Sequence, residues 1–480
     1  MTSVPRTTPS GADPGRRATR TVAVTAGVVS VGLVACLVAA RFSGAIEPPP
    51  AGITDAGPVV RIALPLVRVV SDVAAALTLG VLLLAATFVP GSTRAAAAAP
   101  DEPRRALALK VATGAAFVWA LAAALGVVLR FADAAGLPVS SPGFGDALLG
   151  SVWAIETLRV GLISAIAAVV VASGASLARS RGVTLALMVA ALLGILVLAP
   201  AGHAGGSADH ETAVNALGAH LVGVSVWLGG LLGLVILRRS LGESLGVVAR
   251  RYSSLALWCF VVVGVSGVMS ASTRLSGWQD LRTDYGLIVV AKVIAFLALG
   301  VAGWWHRRHA LERIEGGGRG FARLAAGETL VMGVAVGLAS ALARSAPPVP
   351  ETEVDPSPAL ALTGFPAPPA PSALSWLTAW RVEWLFLAVG LLAIGLYLVG
   401  VVRLHRRGDR WPVLRTVTWV VGWLLFLYAN NGVLGIYSRV AFSWHMTLHM
   451  IEAMVVPIFL VLGAPVTLAL RSLRPRHDGT

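Results

Sequence analysis

The chain has 480 residues, of which 56% are hydrophobic and only 13% are charged, and its formal net charge is +14. So few charged residues cannot cover the surface of a water-soluble protein, which excludes a soluble globular fold. The arginines lie in short loops between long apolar runs. The positive charge therefore favours membrane insertion and contact with anionic lipid, and we expect no nucleic-acid binding.

About twelve apolar segments are long enough to cross a bilayer as helices, which takes roughly 20 residues. They predict an all-α, polytopic integral membrane protein. The first segment follows several arginines, is longer than a signal-peptide core and lacks a clean A-x-A cleavage site, so we expect it to remain as a span. The predicted spans lie near residues 21–40, 62–90, 106–131, 153–178, 183–201, 212–237, 252–273, 286–305, 324–344, 384–402, 413–434 and 444–470.

Loops rich in arginine alternate along the chain with loops that contain few basic residues. The residues before the first span are basic, whereas the next loop, "SGAIEPPPAG", and the later loop "GHAGGSADH" carry no arginine or lysine. Because basic loops stay in the cytoplasm, this alternation predicts that both termini are cytoplasmic (N-in and C-in).

A proline-rich segment, "SAPPVPETEVDPSPALALTGFPAPPAPSAL", begins at Ser345 and favours extended, solvated chain. It predicts a division of the protein into two membrane modules. We expect a cytoplasmic tail at 1–20, a nine-span module at 21–344, an extracytoplasmic linker at 345–382 and a three-span module at 383–480.

The stretch "FSWHMTLHM" places soft metal ligands in the last predicted span. His445 and His449 are four residues apart and share a helix face, Glu452 follows three residues later, and Met446 and Met450 form an adjacent stripe. Imidazole with thioether is a ligand set suited to copper, especially Cu(I). Interfacial hydrogen bonding and ordinary methionine packing remain the alternative. No HExxH motif is present, and we expect no enzyme activity.

Three further histidines surround the start of the sixth predicted span. His203 and His210 lie in or beside the loop "GHAGGSADH", and His220 is ten residues beyond His210, or about 15 Å along a helix. They are candidate metal ligands that could act as successive stations, although His220 could instead pair with another helix. Glycines in the nearby "WLGG" predict a close helix approach.

Ionisable groups within predicted spans, where charge is costly, include Asp72, Glu156, Lys292 and Glu328. Arg68 and Asp72 are four residues apart and can pair within one helix. Lys292 and Glu328 lie on neighbouring spans and form a candidate intramembrane charge pair. Either a static pair or a proton or ion relay fits this pattern.

The two cysteines, Cys36 and Cys259, lie in different apolar segments and form no CxxC motif. This arrangement excludes a disulfide framework and a thiolate metal site. We expect both side chains to be small buried groups.

Two regions resemble known families. "LALWC", "SGVM", "TDYG" and the following "AK" resemble the CopD copper-resistance membrane domain, with the core of the similarity at 250–344. "WPVLRTVTWVVGWLLF", "FSWHMTLHM" and "VLGAPVTLALRSL" resemble a CtaG-type cytochrome c oxidase assembly factor. Modules of that type continue with more spans, so we expect the tail to be a truncated, N-terminal part of one.

CopD and CtaG modules in one chain resemble bifunctional proteins of actinobacteria. The resemblance implies copper import across the cytoplasmic membrane of a bacterium, with copper as Cu(I) or Cu(II), and copper provision for cytochrome c oxidase. It implies oxidase subunits or copper chaperones as partners. The expected route starts at His203 and His210, continues through His220, and ends where His445 and His449 hold or hand over copper.

The sequence also permits two other functions. Histidines on facing helices can ligate haem, which would make the protein a membrane redox protein. An ion-coupled transporter of an organic substrate could instead use Glu328 and Lys292, although no inverted repeat is evident.

Overall fold

The computed structural model describes residues 14–50, 52–88, 102–200, 210–305, 308, 319–348 and 358–472. Within these ranges the regular structure is helical and no strand occurs. Eleven of the described helices are long and apolar enough to cross a membrane, and Arg181–Leu196 is a shorter apolar helix at the fifth predicted span. The prediction of an all-α, multi-pass membrane protein is confirmed.

The chain divides into two compact units. One comprises Met1–Gly205 and Ala213–Pro350, and the other comprises Gly206–Thr212 and Glu351–Thr480. The described helices of the first unit are α1 (Pro14–Phe42), α2 (Pro58–Leu83), α3 (Glu102–Ala135), α4 (Phe144–Ser151), α5 (Glu156–Leu177), α6 (Arg181–Leu196), α7 (His210–Leu241), α8 (Leu245–Ser272), α9 (Asp284–Trp305) and α10 (Arg319–Leu342). Helix α7 belongs to this unit from Ala213 onward.

Helix α2 is the central element of the first unit. It is the most buried of the candidate spans and packs against α1, α3, α6 and α10. The sequence from Asp72 to Gly80, "DVAAALTLG", explains this position, because small side chains let several helices approach the same stretch.

Glycines allow two helix pairs in this unit to meet backbone to backbone. A Cβ on Gly229 of α7 would overlap the Ala76 carbonyl group of α2, so the close approach expected from "WLGG" is present. On α10, Gly333 and Gly337 form a G-x-x-x-G pattern that faces α1, and a Cβ on Gly333 would stand 2.7 Å from the Val28 carbonyl oxygen. Such contacts are typical of membrane helix association.

Ion pairs join helix ends in the same unit. Arg344, just after α10, forms two hydrogen bonds of 2.8 and 2.6 Å with the Asp133 carboxylate of α3. Asp55, just before α2, pairs with Arg61. The Gly57 N–H bond and the Arg61 guanidinium hold the pKa of the Asp55 carboxyl below its usual range, with the backbone bond as the larger cause.

The second unit contains a smaller bundle. Tyr397 and Trp411 form a buried cluster with Leu404 and Leu468, and the Tyr397 ring stacks on Trp419 with centroids 5.0 Å apart. Its described helices are α11 (Pro358–Thr363), α12 (Ser375–Thr378), α13 (Trp384–Arg406), α14 (Val413–Asn431), α15 (Val433–Tyr437), α16 (Phe442–Met450), α17 (Val456–Leu462) and α18 (Pro465–Ser472).

Candidate functional site

Helix α16 is held in the second unit by one apolar face. Trp444, Leu448 and Ile451 recur at helical spacing and pack against the cluster that contains Tyr437. The Trp444 ring lies 5.1 Å from the Tyr437 ring and 5.9 Å from the Trp376 ring, measured between centroids. This face determines the direction in which the remaining side chains of α16 point.

The candidate ligands lie on the other sides of α16. His445 and His449 are exposed, as are Met446 at 37% and Met450 at 49%. The His445 ring stacks beside Phe442 at 6.5 Å between centroids. Side chains four residues apart on a helix are neighbours, so the two imidazoles can reach one ion together. The methionine sulfurs lie further round the helix and can provide a second, weaker ligand position.

Glu452 has a defined structural partner. Its Oε1 accepts a hydrogen bond of 2.6 Å from Asn430 Nδ2, and that amide also donates to the Phe426 carbonyl at 3.0 Å. The residue lies in a π-helical turn, Ile451–Val455, that follows α16. The acidic group therefore ties this turn to α14, which accounts for a carboxylate in an otherwise apolar segment.

The three histidines of the front module are placed unequally. His203 and the side chain of His210 lie outside the described residues, although His210 is the first residue of α7. His220 is half-buried on α7, and its Nδ1 lies 3.1 Å from the Ser266 hydroxyl of α8. His220 thus contacts a neighbouring helix, which is one of the two alternatives that the sequence left open.

This contact has a consequence for the protonation of His220. The Ser266 hydroxyl donates to the Val263 carbonyl at 3.2 Å. When the hydroxyl proton is engaged by that carbonyl, His220 Nδ1–H donates to the hydroxyl oxygen. The lone pair then lies on Nε2, which is the form of imidazole that binds metals.

The charged residues within spans behave differently from one another. Arg68 Nε and Asp72 Oδ2 are 3.8 Å apart, so these side chains form the expected local pair. Lys292 lies on α9 and Glu328 on α10, and the ion pairs among the described residues do not join these two side chains. Their role as an intramembrane pair remains a prediction.

In the described part of the chain, no group of three or more His, Cys, Asp or Glu side chains forms a ready metal cage. Any copper position there must use fewer such ligands, or add methionine sulfur. An open site with few ligands favours ion exchange over tight retention.

Sequence reasoning missed several polar residues. Arg130 of α3 lies among apolar residues in "VVLRFAD" and was not recognised as an intramembrane charge. Asn430 and Asn431 are buried at the end of α14, and the Asn431 side-chain oxygen accepts from the Glu383 N–H at 2.6 Å. Adjacent amides in a span, "YANNG", were the available signal.

Family comparisons match two separate regions of the chain. Residues 246–342 match the family "Copper resistance protein D" (CopD), and residues 395–479 match "Cytochrome c oxidase caa3 assembly factor" (Caa3_CtaG). His445, Met446, His449 and Met450 lie inside the second match, whereas His220 precedes the first. Both regions overlap the segments that showed the resemblance in the sequence.

Similar proteins occur in mycobacteria. The uncharacterized protein Mb0105 of Mycobacterium bovis and the uncharacterized protein MT0111 of Mycobacterium tuberculosis are each 29% identical over 464 residues, which covers 94% of this chain and 66% of theirs. The uncharacterized protein ML1998 of Mycobacterium leprae is 27% identical, over 75% of this chain and 52% of its own. The chain therefore spans slightly less than two thirds of the first two relatives.

No solved structure is significantly similar. Each of the two family matches falls on helices described above. One multi-pass membrane chain therefore contains both a region that matches the copper resistance protein D family and a region that matches the cytochrome c oxidase caa3 assembly factor family.

Proposed function

We propose that this protein imports copper across the plasma membrane of a bacterium and provides copper for cytochrome c oxidase assembly. The observation that carries the proposal is the presence of CopD and Caa3_CtaG regions in one chain. One family is named for copper resistance and the other for assembly of a copper-containing oxidase. A shared copper supply is the simplest reason for joining them.

The tail supplies the acceptor position in this scheme. His445 and His449 are exposed together on α16, and Met446 and Met450 add sulfur nearby. Cu(I) accepts such nitrogen and sulfur ligands at low coordination number, whereas Mg²⁺ and Ca²⁺ prefer oxygen. Because Trp444, Leu448 and Ile451 anchor the helix, ligand exchange at its exposed side leaves the packing undisturbed.

The front module supplies the entry path. In the positive-inside topology, with both termini cytoplasmic, His203 and His210 lie on the outer side and capture the ion. His220 is deeper in α7, and the ring atom that contacts Ser266 is Nδ1, which leaves Nε2 as the candidate ligand atom. The proline-rich residues 345–382 form the outer linker between the two modules.

Metal analysis of the purified chain tests the tail site. We expect copper to bind under reducing, copper-replete conditions, and His445→Ala/His449→Ala to lose most of it. The matched control is His405→Ala, because His405 Nδ1 is already bonded to the Val401 carbonyl at 2.9 Å. Absence of stoichiometric copper in the wild type, or an equal loss in the control, would refute the proposed site.

A cellular assay tests transport separately. Cells that express the wild type should accumulate more copper than cells that express a variant without His203, His210 and His220. Normal membrane insertion of the variant, measured by immunoblotting of the membrane fraction, is the required control. Equal copper accumulation at equal protein levels would rule out the import path.

A further inference from the structure

A small cavity in the first unit has charged and polar side chains in an otherwise apolar lining. It lies between α2, α3 and α5 and has a volume of about 20 Å³. That volume accommodates a water molecule or a monatomic ion of similar radius. The polar lining consists of Arg68, Ser71, Arg130 and Ser164.

Positive charge exceeds negative charge around this cavity. Asp72 pairs with Arg68 at 3.8 Å, and Arg130 lies within electrostatic range of both. Lys292 is a further cation within electrostatic range of Arg68. Asp72 is therefore a single carboxylate shared by the two arginines that line the cavity, and it balances only one of them.

The Arg130 guanidinium lies directly against two glycines. A Cβ on Gly161 would stand 2.7 Å from Nη1, and a Cβ on Gly126 would stand 3.9 Å from Nη2. The glycines leave space for the guanidinium at the cavity wall. Within the described part of the chain, Arg130 forms no hydrogen bond or ion pair with another protein group.

Ser164 provides a second, independent observation. The residue is 1% exposed, it lines the cavity, and its buried hydroxyl has no hydrogen-bond partner among the described residues. Buried hydroxyls are nearly always bonded, because leaving one unsatisfied costs about 1–3 kcal/mol. A donor hydroxyl beside a free guanidinium is suited to a bound anion.

The position within the helices adds to this argument. Arg68 is ten residues from the start of α2, which corresponds to about 15 Å along the helix. At such depth in a span, uncompensated positive charge is expensive and marks a functional site. An anion held between Arg68, Arg130 and Ser164 would neutralise it and satisfy the free donors.

We propose that Arg68, Arg130 and Ser164 form an intramembrane binding site for a small monovalent anion of the halide class, chloride above all. The site uses residues outside the candidate copper ligands and outside the CopD-matched region. The proposed anion site can therefore be tested independently of the copper function.

Chloride binding to the purified full-length chain tests the proposal. The protein is prepared in halide-free isethionate, and binding is measured with radioactive chloride by equilibrium dialysis and by the thermal unfolding midpoint. We expect saturable binding and a higher midpoint with chloride or bromide. Sulfate at matched ionic strength should leave the midpoint unchanged, because burying a doubly charged anion in a mostly apolar lining costs far more than burying a halide.

Three variants assign the binding to this cavity. Arg130→Met should abolish saturable binding, and Ser164→Ala should weaken it by about tenfold, as expected for loss of one bond to an ion. Arg159→Met is the matched control, because its guanidinium is exposed and bonds the Trp153 carbonyl. Ser164→Ala leaves every charge in place, so its chloride affinity tests the site even if Arg130→Met does not fold.

Each contrary outcome overturns the proposal. No saturable chloride binding in the wild type would mean that the cavity holds water only. An equal midpoint increase with sulfate would indicate a general salt effect. Unchanged chloride affinity in both Arg130→Met and Ser164→Ala would place any bound chloride elsewhere.

Discussion

The contact between α1 and α10 allows a quantitative test of the fold. A Cβ on Gly333 would stand 2.7 Å from the Val28 carbonyl oxygen and 3.1 Å from Val28 Cγ1. The nearest atom belongs to the backbone, so no side-chain rotation can relieve the overlap. Gly333→Ala must therefore push the two helices apart by roughly half an ångström, which forfeits about a quarter of each affected van der Waals contact.

Overpacking of this kind costs about 1–3 kcal/mol. Cys36 reports it directly, because its backbone nitrogen lies 2.9 Å from a Cβ built on Gly337 and its side chain is fully buried. The assay uses Cys259→Ala protein, in which Cys36 is the remaining thiol. A thiol-reactive dye should label Cys36 about 5- to 150-fold faster when Gly333→Ala is added, because labelling requires α1 and α10 to separate locally and the substitution makes that separation easier by the same free energy.

Gly327→Ala is the matched control for this experiment. Gly327 lies on the same helix, and a Cβ there meets no atom within 4 Å. Its labelling rate should equal that of the parent protein, since only the helix propensity changes. Equal labelling rates in Gly333→Ala and Gly327→Ala would show that the packing argument for α1 and α10 is wrong.

Three further predictions concern the ion pairs and α16. Arg344→Gln should lower the thermal midpoint by the equivalent of about 1–3 kcal/mol, because it breaks the two hydrogen bonds that the guanidinium donates to the Asp133 carboxylate, and an unchanged midpoint would contradict a stabilising role. The stabilisation from Asp55, whose pKa is lowered mainly by the Gly57 N–H, should be complete above about pH 4 and decline as the pH falls through the folded-state pKa. Asp55→Asn should lack that decline in a pH series of thermal unfolding, and an identical pH profile would refute the assignment. Trp444→Ala should lower the free energy of unfolding by about 1–3 kcal/mol, because it removes the ring contacts with Tyr437 and Trp376. It should also weaken copper binding, although every candidate ligand is still present. Unchanged thermal stability and metal content would show that α16 does not need this side chain to hold its position.

The sequence predicted the helical content well, because span length depends on the thickness of the bilayer and on local hydrophobicity. It also predicted the close approach at "WLGG" and the local pair of Arg68 with Asp72. The G-x-x-x-G pattern of Gly333 and Gly337 is visible in the sequence and indicates a close helix contact. Its partner α1 is about 300 residues away along the chain, and no local pattern identifies that helix.

The polar residues show where sequence reasoning stopped. Arg130 reads as an ordinary basic residue near the end of a span, and its importance depends on the proximity of Arg68 and Ser164, which come from two other helices. Glu452 was predicted to share the histidine face. Its bond to Asn430 depends on how α14 packs against the following turn, and that packing is a tertiary property.

The amino-acid sequence alone determined that this is a multi-pass helical membrane protein and placed candidate soft-metal ligands in its last span, because hydrophobic length and side-chain chemistry are local properties. Only the tertiary structure decided that Trp444 packs inward while His445 and His449 remain exposed. It also decided that two arginines and a buried serine line the same small cavity. The physical reason is that an isolated helix exposes all of its faces, and a face becomes buried only when a neighbouring helix packs against it. Which neighbour covers it is decided by packing between residues far apart in the chain.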